Sequence, residues 1–148
     1  LEKEADLNDE LKSQLKNLNV KTPIDFAVKI NGKRKELSLE EFPSTYGIYD
    51  VGQKTIKKYV GEIKKAKSIY MKGPAGDFSS KGFEKGTYSI LKAIVKSKAF
   101  SLIGGGHLSD AIDKSGISKK KFGHISLSGG ALLKYLAGEK LPGLEALK

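Results

Sequence analysis

The chain has 148 residues, enough for one ordinary globular domain with a sizeable core. Hydrophobic residues make up 39% and charged residues 30%, which argues against disorder, and no apolar run approaches the roughly 18 residues of a spanning helix. The absence of cysteine excludes a disulfide framework, a thiolate nucleophile and a cysteine metal site, while a net charge of +10 points to an anionic partner.

The basic set is lopsided, with 26 Lys and only Arg34. Base readout and bidentate phosphate recognition favour arginine, so the composition does not favour a sequence-reading nucleic-acid binder. No charged-apolar-small signal segment opens the chain, and a cytoplasmic location is the default expectation. The chain starts at Leu1 rather than Met, as a processed or truncated product would.

In chain order, Leu7, Leu11, Leu15 and Leu18 fall on one helical stripe. Lys21 to Ile30 reads as a strand, Asn31-Gly32 as a hairpin turn, and Arg34 to Leu39 as a second strand. Pro43 and Ser44-Thr45 mark a loop, and Gly47 to Val51 reads as a short apolar connection. Ile56, Tyr59, Val60 and Ile63 place a helix over about residues 53–65, and Ser68 to Lys72 is a short strand. After a Gly/Pro/Ser-rich stretch comes a helix with Ile90, Leu91, Ile94 and Val95 inward, then a strand from Ala99 to Ile103. Leu108, Ala111 and Ile112 define a short helix stopped by Gly116. Phe122 to Leu127 is the last strand, and Ser128-Gly129-Gly130 opens a helix with Leu132, Leu133 and Leu136 inward, ended by Gly138. This alternation predicts an α/β fold: a parallel sheet of at least four strands with helices on both faces.

Three glycine-rich stretches follow strands: Gly73-Pro74-Ala75-Gly76, Gly104-Gly105-Gly106 and Ser128-Gly129-Gly130. In a parallel sheet, strand-to-helix loops share the carboxyl edge, where ligands of open α/β folds bind. Close backbone approach and helix N-termini suit them to phosphates or carboxylates. No P-loop pattern occurs, and the near-fingerprint Gly104 to Ser109 lacks the acidic residue expected about 20 residues on, so a nicotinamide site fits poorly. His107, beside the triple glycine, is a donor to a phosphate oxygen, a carrier of a metal-bound water or a surface cap. His124, in an apolar strand, reads as a core histidine. Neither has a carboxylate cluster, so no metal cage is signalled. The lysine clusters Lys64/Lys65/Lys67, Lys96/Lys98 and Lys119–Lys121 belong to the opposite edge. They read as a solvated basic face rather than a nucleic-acid groove.

Taken in order, several segments resemble the later part of the C-terminal domain of the phosphoglycerate kinase family, and their departures from its pattern resemble archaeal members. Thr22-Pro23-Ile24-Asp25 resembles its Leu-Pro-Val-Asp, and Asp50-Val51-Gly52-Gln53-Lys54-Thr55 its Asp-Ile-Gly-Pro-Lys-Thr. Lys72-Gly73-Pro74-Ala75-Gly76-Asp77-Phe78 resembles Asn-Gly-Pro-Met-Gly-Val-Phe, with Gly86-Thr87 following. Gly104-Gly105-Gly106-His107 resembles Gly-Gly-Gly-Asp, and His124-Ile125-Ser126 with Gly129-Gly130-Ala131 resembles His-Ile-Ser-Thr-Gly-Gly-Gly-Ala. Leu141-Pro142-Gly143 matches the tail.

The resemblance implies a Rossmann-like domain, incomplete relative to the full one, with residues 1–148 forming a partial nucleotide-binding domain. It implies phosphoryl transfer between 1,3-bisphosphoglycerate and ADP, with Mg2+ accompanying ATP/ADP and 3-phosphoglycerate bound by an N-terminal domain that this chain does not contain. It implies nucleotide contacts at Gly73, Pro74, Gly104, Gly105, Gly106, His107 and Ser126, catalytic positions at Gly106, Gly129 and Gly130, and no protein metal ligand. Nucleic acid and membrane are not expected partners, and the isolated chain is expected to be inactive. Three positions depart from the pattern: Lys72 for Asn, Ser79 for a Glu that holds the ribose, and His107 for an Asp associated with the metal. A non-catalytic basic module binding nucleotide or nucleic acid is the alternative.

Overall fold

The computed structural model describes Ser13 and residues 19–147. The leucine stripe at Leu7, Leu11, Leu15 and Leu18 lies outside the described residues. Two three-stranded sheets carry the fold. The first is antiparallel: β1 (Asp25–Ile30) pairs with β2 (Lys33–Ser38) on one side and β3 (Ile48–Val51) on the other. Asn31-Gly32 makes the expected hairpin, with both residues at positive φ. The supposed apolar connection at Gly47 to Val51 is therefore a strand. Its brevity hid it, because only Ile48, Tyr49, Asp50 and Val51 pair or turn inward.

The second sheet is parallel, in the order β4 (Ser68–Lys72), β5 (Phe100–Gly104), β6 (His124–Ser126). It has three strands rather than four, since the strand read from Lys21 begins only at Asp25 and joins the antiparallel sheet. The helices are α1 (Gln53–Ile63), α2 (Lys85–Lys96), α3 (Gly106–Ser115), α4 (Gly130–Leu136) and a single turn, α5 (Pro142–Glu145).

Strand alternation sorts the parallel sheet into two unlike faces. Ile69, Met71, Ile103 and Ile125 face a core of Ile90, Leu91 and Ile94 from α2 and Leu108, Ala111 and Ile112 from α3, closed by Phe122. Tyr70, Leu102 and His124 share the other register rows. That face is thinly covered by α4, whose Leu132 approaches Gly104. Helices thus lie on both faces, but unequally. His124 is exposed rather than a core histidine, because it points to the thin side while Ile125 points to the core. For the same reason Leu133 and Leu136 are not inward: they are 39% and 53% exposed.

Two buried carboxylates join the layers. Asp50 on β3 accepts from Arg34 Nη1 at 2.7 Å and from the Gly86 N–H at 2.8 Å, while its other oxygen takes the Val51 N–H. Arg34 also donates to the carbonyls of Gly82 and Val51. A Cβ on Gly76 or Gly86 would overlap the Asp50 carboxylate, so glycine permits the approach. Burial pushes the Asp50 carboxyl above its ordinary value, against the pull of Arg34 and the Gly86 N–H. Asp25 on β1 caps α1 from outside. Its oxygens accept from the Thr55 N–H at 2.7 Å, the Thr55 hydroxyl at 2.6 Å and the Lys54 N–H at 2.9 Å. Burial pushes the Asp25 carboxyl up, but the Thr55 hydroxyl and the two amides outweigh it and hold it below the usual carboxylate value.

Replacing Arg34 by Leu leaves Asp50 buried without its counter-ion. Unfolding in urea should show a loss of about 3–5 kcal/mol, and a loss within experimental error would remove the pair from the fold's essentials. Asp25→Asn should cost roughly 1–3 kcal/mol at pH 7 by breaking the cap. Because the folded Asp25 value lies below the unfolded one near 3.8, its contribution is complete above that pH and is lost as pH falls through the folded value. The stability difference between the parent and Asp25→Asn should therefore narrow on acidification. A difference that stays constant down to pH 2 would contradict this linkage.

Candidate functional site: a backbone cradle at the carboxyl edge

Because β4, β5 and β6 run parallel, the loops after Lys72, Gly104 and Ser126 leave the same edge. Lys72, Gly104 and Ser126 occupy one register row. The Gly105 N–H donates to the Ser126 carbonyl at 2.9 Å, tying the second loop to the third. A Cβ placed on Gly129 would stand 3.7 Å from Gly105 Cα and 3.3 Å from Lys72 Cε. Gly104, Gly105, Ser126, Gly129 and Lys72 thus meet in one small region. Gly106, His107 and Gly130 border it as the first residues of their helices, and His107 is exposed. Gly73 and Pro74 sit apart. They line an apolar groove of about 490 Å³ along the unpaired side of β4, with Tyr70, Ile90 and Ile94 among its walls.

The helix N-termini differ in what occupies them. At α1, Asp25 takes the Lys54 and Thr55 amides and Glu36 takes that of Gln53. At α2, Asp50 takes the Gly86 amide. At α3 the turn is made by Gly105, at φ 105°, and the amides of Gly106, His107 and Leu108 have no acceptor among the described residues. A helix start with unclaimed N–H groups and a positive dipole end attracts an anion. The protein's own carboxylates fill the first two positions and leave the third open. Sequence reading treated Asp25 and Asp50 only as matches to a motif. Their role as internal anions was legible in neither periodicity nor composition.

No carboxylate stands in Gly104–His107 or Ser126–Gly130. Asp77 in the first loop is occupied by the Ser79 amide and the Ser80 hydroxyl. Among the described residues there is no group of three His, Asp or Glu able to hold a metal. The lysine clusters precede β4, β5 and β6 and so lie at the amino edge, as expected. Among the described residues no helix is long and apolar enough to cross a membrane.

The parallel sheet flanked by helices, with glycine loops at its carboxyl edge, places the chain among the open α/β proteins. Comparison with known proteins makes the assignment specific. The family model described as "Phosphoglycerate kinase" matches residues 1–139. Archaeal relatives are among the best matches. The phosphoglycerate kinase of Methanothermus fervidus is 46% identical over 127 residues, covering 86% of this chain and 30% of that protein. That of Pyrococcus abyssi is 45% identical over 133 residues, covering 87% and 32%. The crystal structure of phosphoglycerate kinase from Pyrococcus horikoshii superposes with a TM-score of 0.80 at 40% identity, covering 94% of this chain and 35% of that one. The Coxiella burnetii enzyme gives 0.80 at 31% identity. The chain belongs to the phosphoglycerate kinase family and spans about 30% of the length of the curated relatives it matches.

Gly105→Ala forces a Cβ onto a backbone with φ near 105° and should cost about 1–2 kcal/mol in thermal or urea unfolding. Gly106→Ala, where φ is not positive and no atom lies within 4 Å of the added carbon, should stay within about 0.5 kcal/mol. Equal effects at the two positions would mean that the turn is not held by the Gly105 conformation.

Proposed function

We propose that residues 1–148 form part of the C-terminal, nucleotide-binding domain of a cytoplasmic phosphoglycerate kinase. The enzyme transfers a phosphoryl group between 1,3-bisphosphoglycerate and ADP to give 3-phosphoglycerate and ATP. The observation that carries this reading is the open N-terminus of α3, set between the Gly105 turn and Gly129, in a chain of this family. Gly104, Gly105 and Gly106 cradle nucleotide phosphates through backbone N–H groups. His107 and Ser126 border them, and Gly73 and Pro74 line the pocket along β4. Gly106, Gly129 and Gly130 face the transferring phosphoryl group. Phosphoryl transfer is mostly positioning and charge stabilisation, and rigid amides at a helix start supply both without reorganising.

ATP and ADP enter this class of reaction with Mg2+. The described residues do not fit a protein-held magnesium, which takes oxygen ligands in octahedral geometry, carboxylates among them. The cradle offers amides, two serine hydroxyls, an imidazole and a lysine. The triose is held by the N-terminal domain of the enzyme, so this chain alone lacks one substrate's site. Holding both reactants in line is worth roughly 7–11 kcal/mol in well-oriented systems.

ADP should raise the unfolding temperature of the chain, and an RNA of matched phosphate concentration should not. In a coupled assay the chain alone should give no turnover from ATP and 3-phosphoglycerate, and joining it to the complementary part of the enzyme should restore turnover. Turnover by the chain alone would overturn the assignment of a partial domain. Stabilisation by RNA but not by ADP would favour the alternative of a basic nucleic-acid-binding module.

A further inference from the structure

Lys72 holds a place that the phosphate cradle alone does not explain. It is the last residue of β4, in register with Gly104 and through it with Ser126. Tyr70 and Leu132 fill the space over Gly104, and beside them the Lys72 side chain brings Cε to 3.3 Å from the Cβ position of Gly129. A residue of the first strand thereby reaches the loop after the third. Among the described residues four lysines pair with carboxylates, Lys21 and Lys65 with Glu62, Lys119 with Asp113 and Lys134 with Glu139, and most others do not. The Lys72 ammonium has no ion pair or hydrogen bond among the described residues. The acids that border this edge are committed elsewhere, Asp50 to Arg34 and Asp77 to Ser79 and Ser80.

Among the described residues the cleft therefore holds the Lys72 cation, a row of unclaimed amides and no free carboxylate. That set accepts a polyphosphate and repels a divalent cation. We propose that Lys72 neutralises the nucleotide phosphates in this site, so that nucleotide binding depends little on Mg2+. This rests on the nucleotide-site reading above and extends it to the source of the positive charge. Lys72 acts through its ammonium on the phosphate oxygens, as a compact point charge that can follow them as they move.

Calorimetry with ADP, in EDTA and in excess Mg2+, tests the proposal. ADP should bind in EDTA, and Lys72→Met should weaken it there by about tenfold, the scale of one charge-assisted hydrogen bond. Lys72→Arg should recover most of that loss. Adenosine, which has no phosphate, should bind the parent and Lys72→Met equally, whereas a merely structural role would weaken both ligands. Lys72 is exposed, and circular dichroism of each variant checks that the fold is retained. Equal ADP affinity of the parent and Lys72→Met in EDTA would overturn the proposal and leave the nucleotide site standing. Binding of ADP by the parent only when Mg2+ is present would do the same. Failure of the parent to bind ADP under either condition would overturn the nucleotide-site reading and this proposal with it.

Discussion

The structure depends on one buried carboxylate. Asp50 is wholly enclosed, and an ionised carboxylate in such a place is tolerated only if every lone pair finds a donor. The donors come from three separate parts of the chain: Arg34 on β2, the amide of Val51 on β3 and the amide of Gly86 at the start of α2. Meeting that requirement fixes the antiparallel sheet against α2. Through Gly82 and Gly76 it also fixes the loop that leaves β4. In a chain with 26 lysines, the single arginine stands where five planar donors are needed at once. A lysine could satisfy Asp50 but could not also reach the carbonyls of Gly82 and Val51 and the Glu36 carboxylate.

The same economy of charge explains why the cradle lies at α3. Every helix start leaves amides unpaired. At α1 and α2 the fold uses Asp25 and Asp50 as resident anions. At α3 no side chain occupies that place. The Gly105 turn brings the amides to the sheet edge instead, and Ser126 fixes that turn through its carbonyl. A buried acid and an open helix start are two uses of the same dipole. The first contributes to stability and the second is left available for binding.

Much of this was legible in the sequence, for stated reasons. Ser68 to Lys72 reads with its observed bounds, and the inward residues of α2 and α3 are legible because burial on those helices is one-sided and periodic. Asn31-Gly32 carried its turn in its chemistry. The shared edge of the three glycine loops followed from parallel topology. What failed was whatever depended on the sheet's second face. His124, Leu133 and Leu136 were assigned inward because an apolar strand and a leucine-rich helix normally have a core on both sides of them. Gly47 to Val51 was too short to show a period of two. The role of Asp50 depends on contacts 16 and 36 residues away, which no local pattern reveals.

The unequal faces bear directly on the site. The face with Ile69, Met71, Ile103 and Ile125 is packed by α2 and α3, while among the described residues the face with Tyr70, Leu102 and His124 has α4 alone, and Leu127 and Tyr135 stand 76% and 61% exposed. An apolar face of this kind is stabilised in water when something covers it. On the reading of a partial nucleotide-binding domain, the rest of that domain supplies the cover. The cradle draws on both faces: Lys72, Gly104 and Ser126 follow the register of the thinly covered face and Gly129 opens α4, while the α3 turn belongs to the packed side. That turn is held by β5, β6 and α3, and Ile103, Leu108 and Ile112 root those elements in the packed side. On the reading of a nucleotide site, the amides at the start of α3 are braced by that packed core. The apolar groove along β4, with Gly73 and Pro74 on its wall, rests on an edge that the described residues leave unpaired. On the proposed reading, the amides offered to the phosphates are backed by a packed core, while the groove lined by Gly73 and Pro74 runs along an edge with no strand beyond it among the described residues.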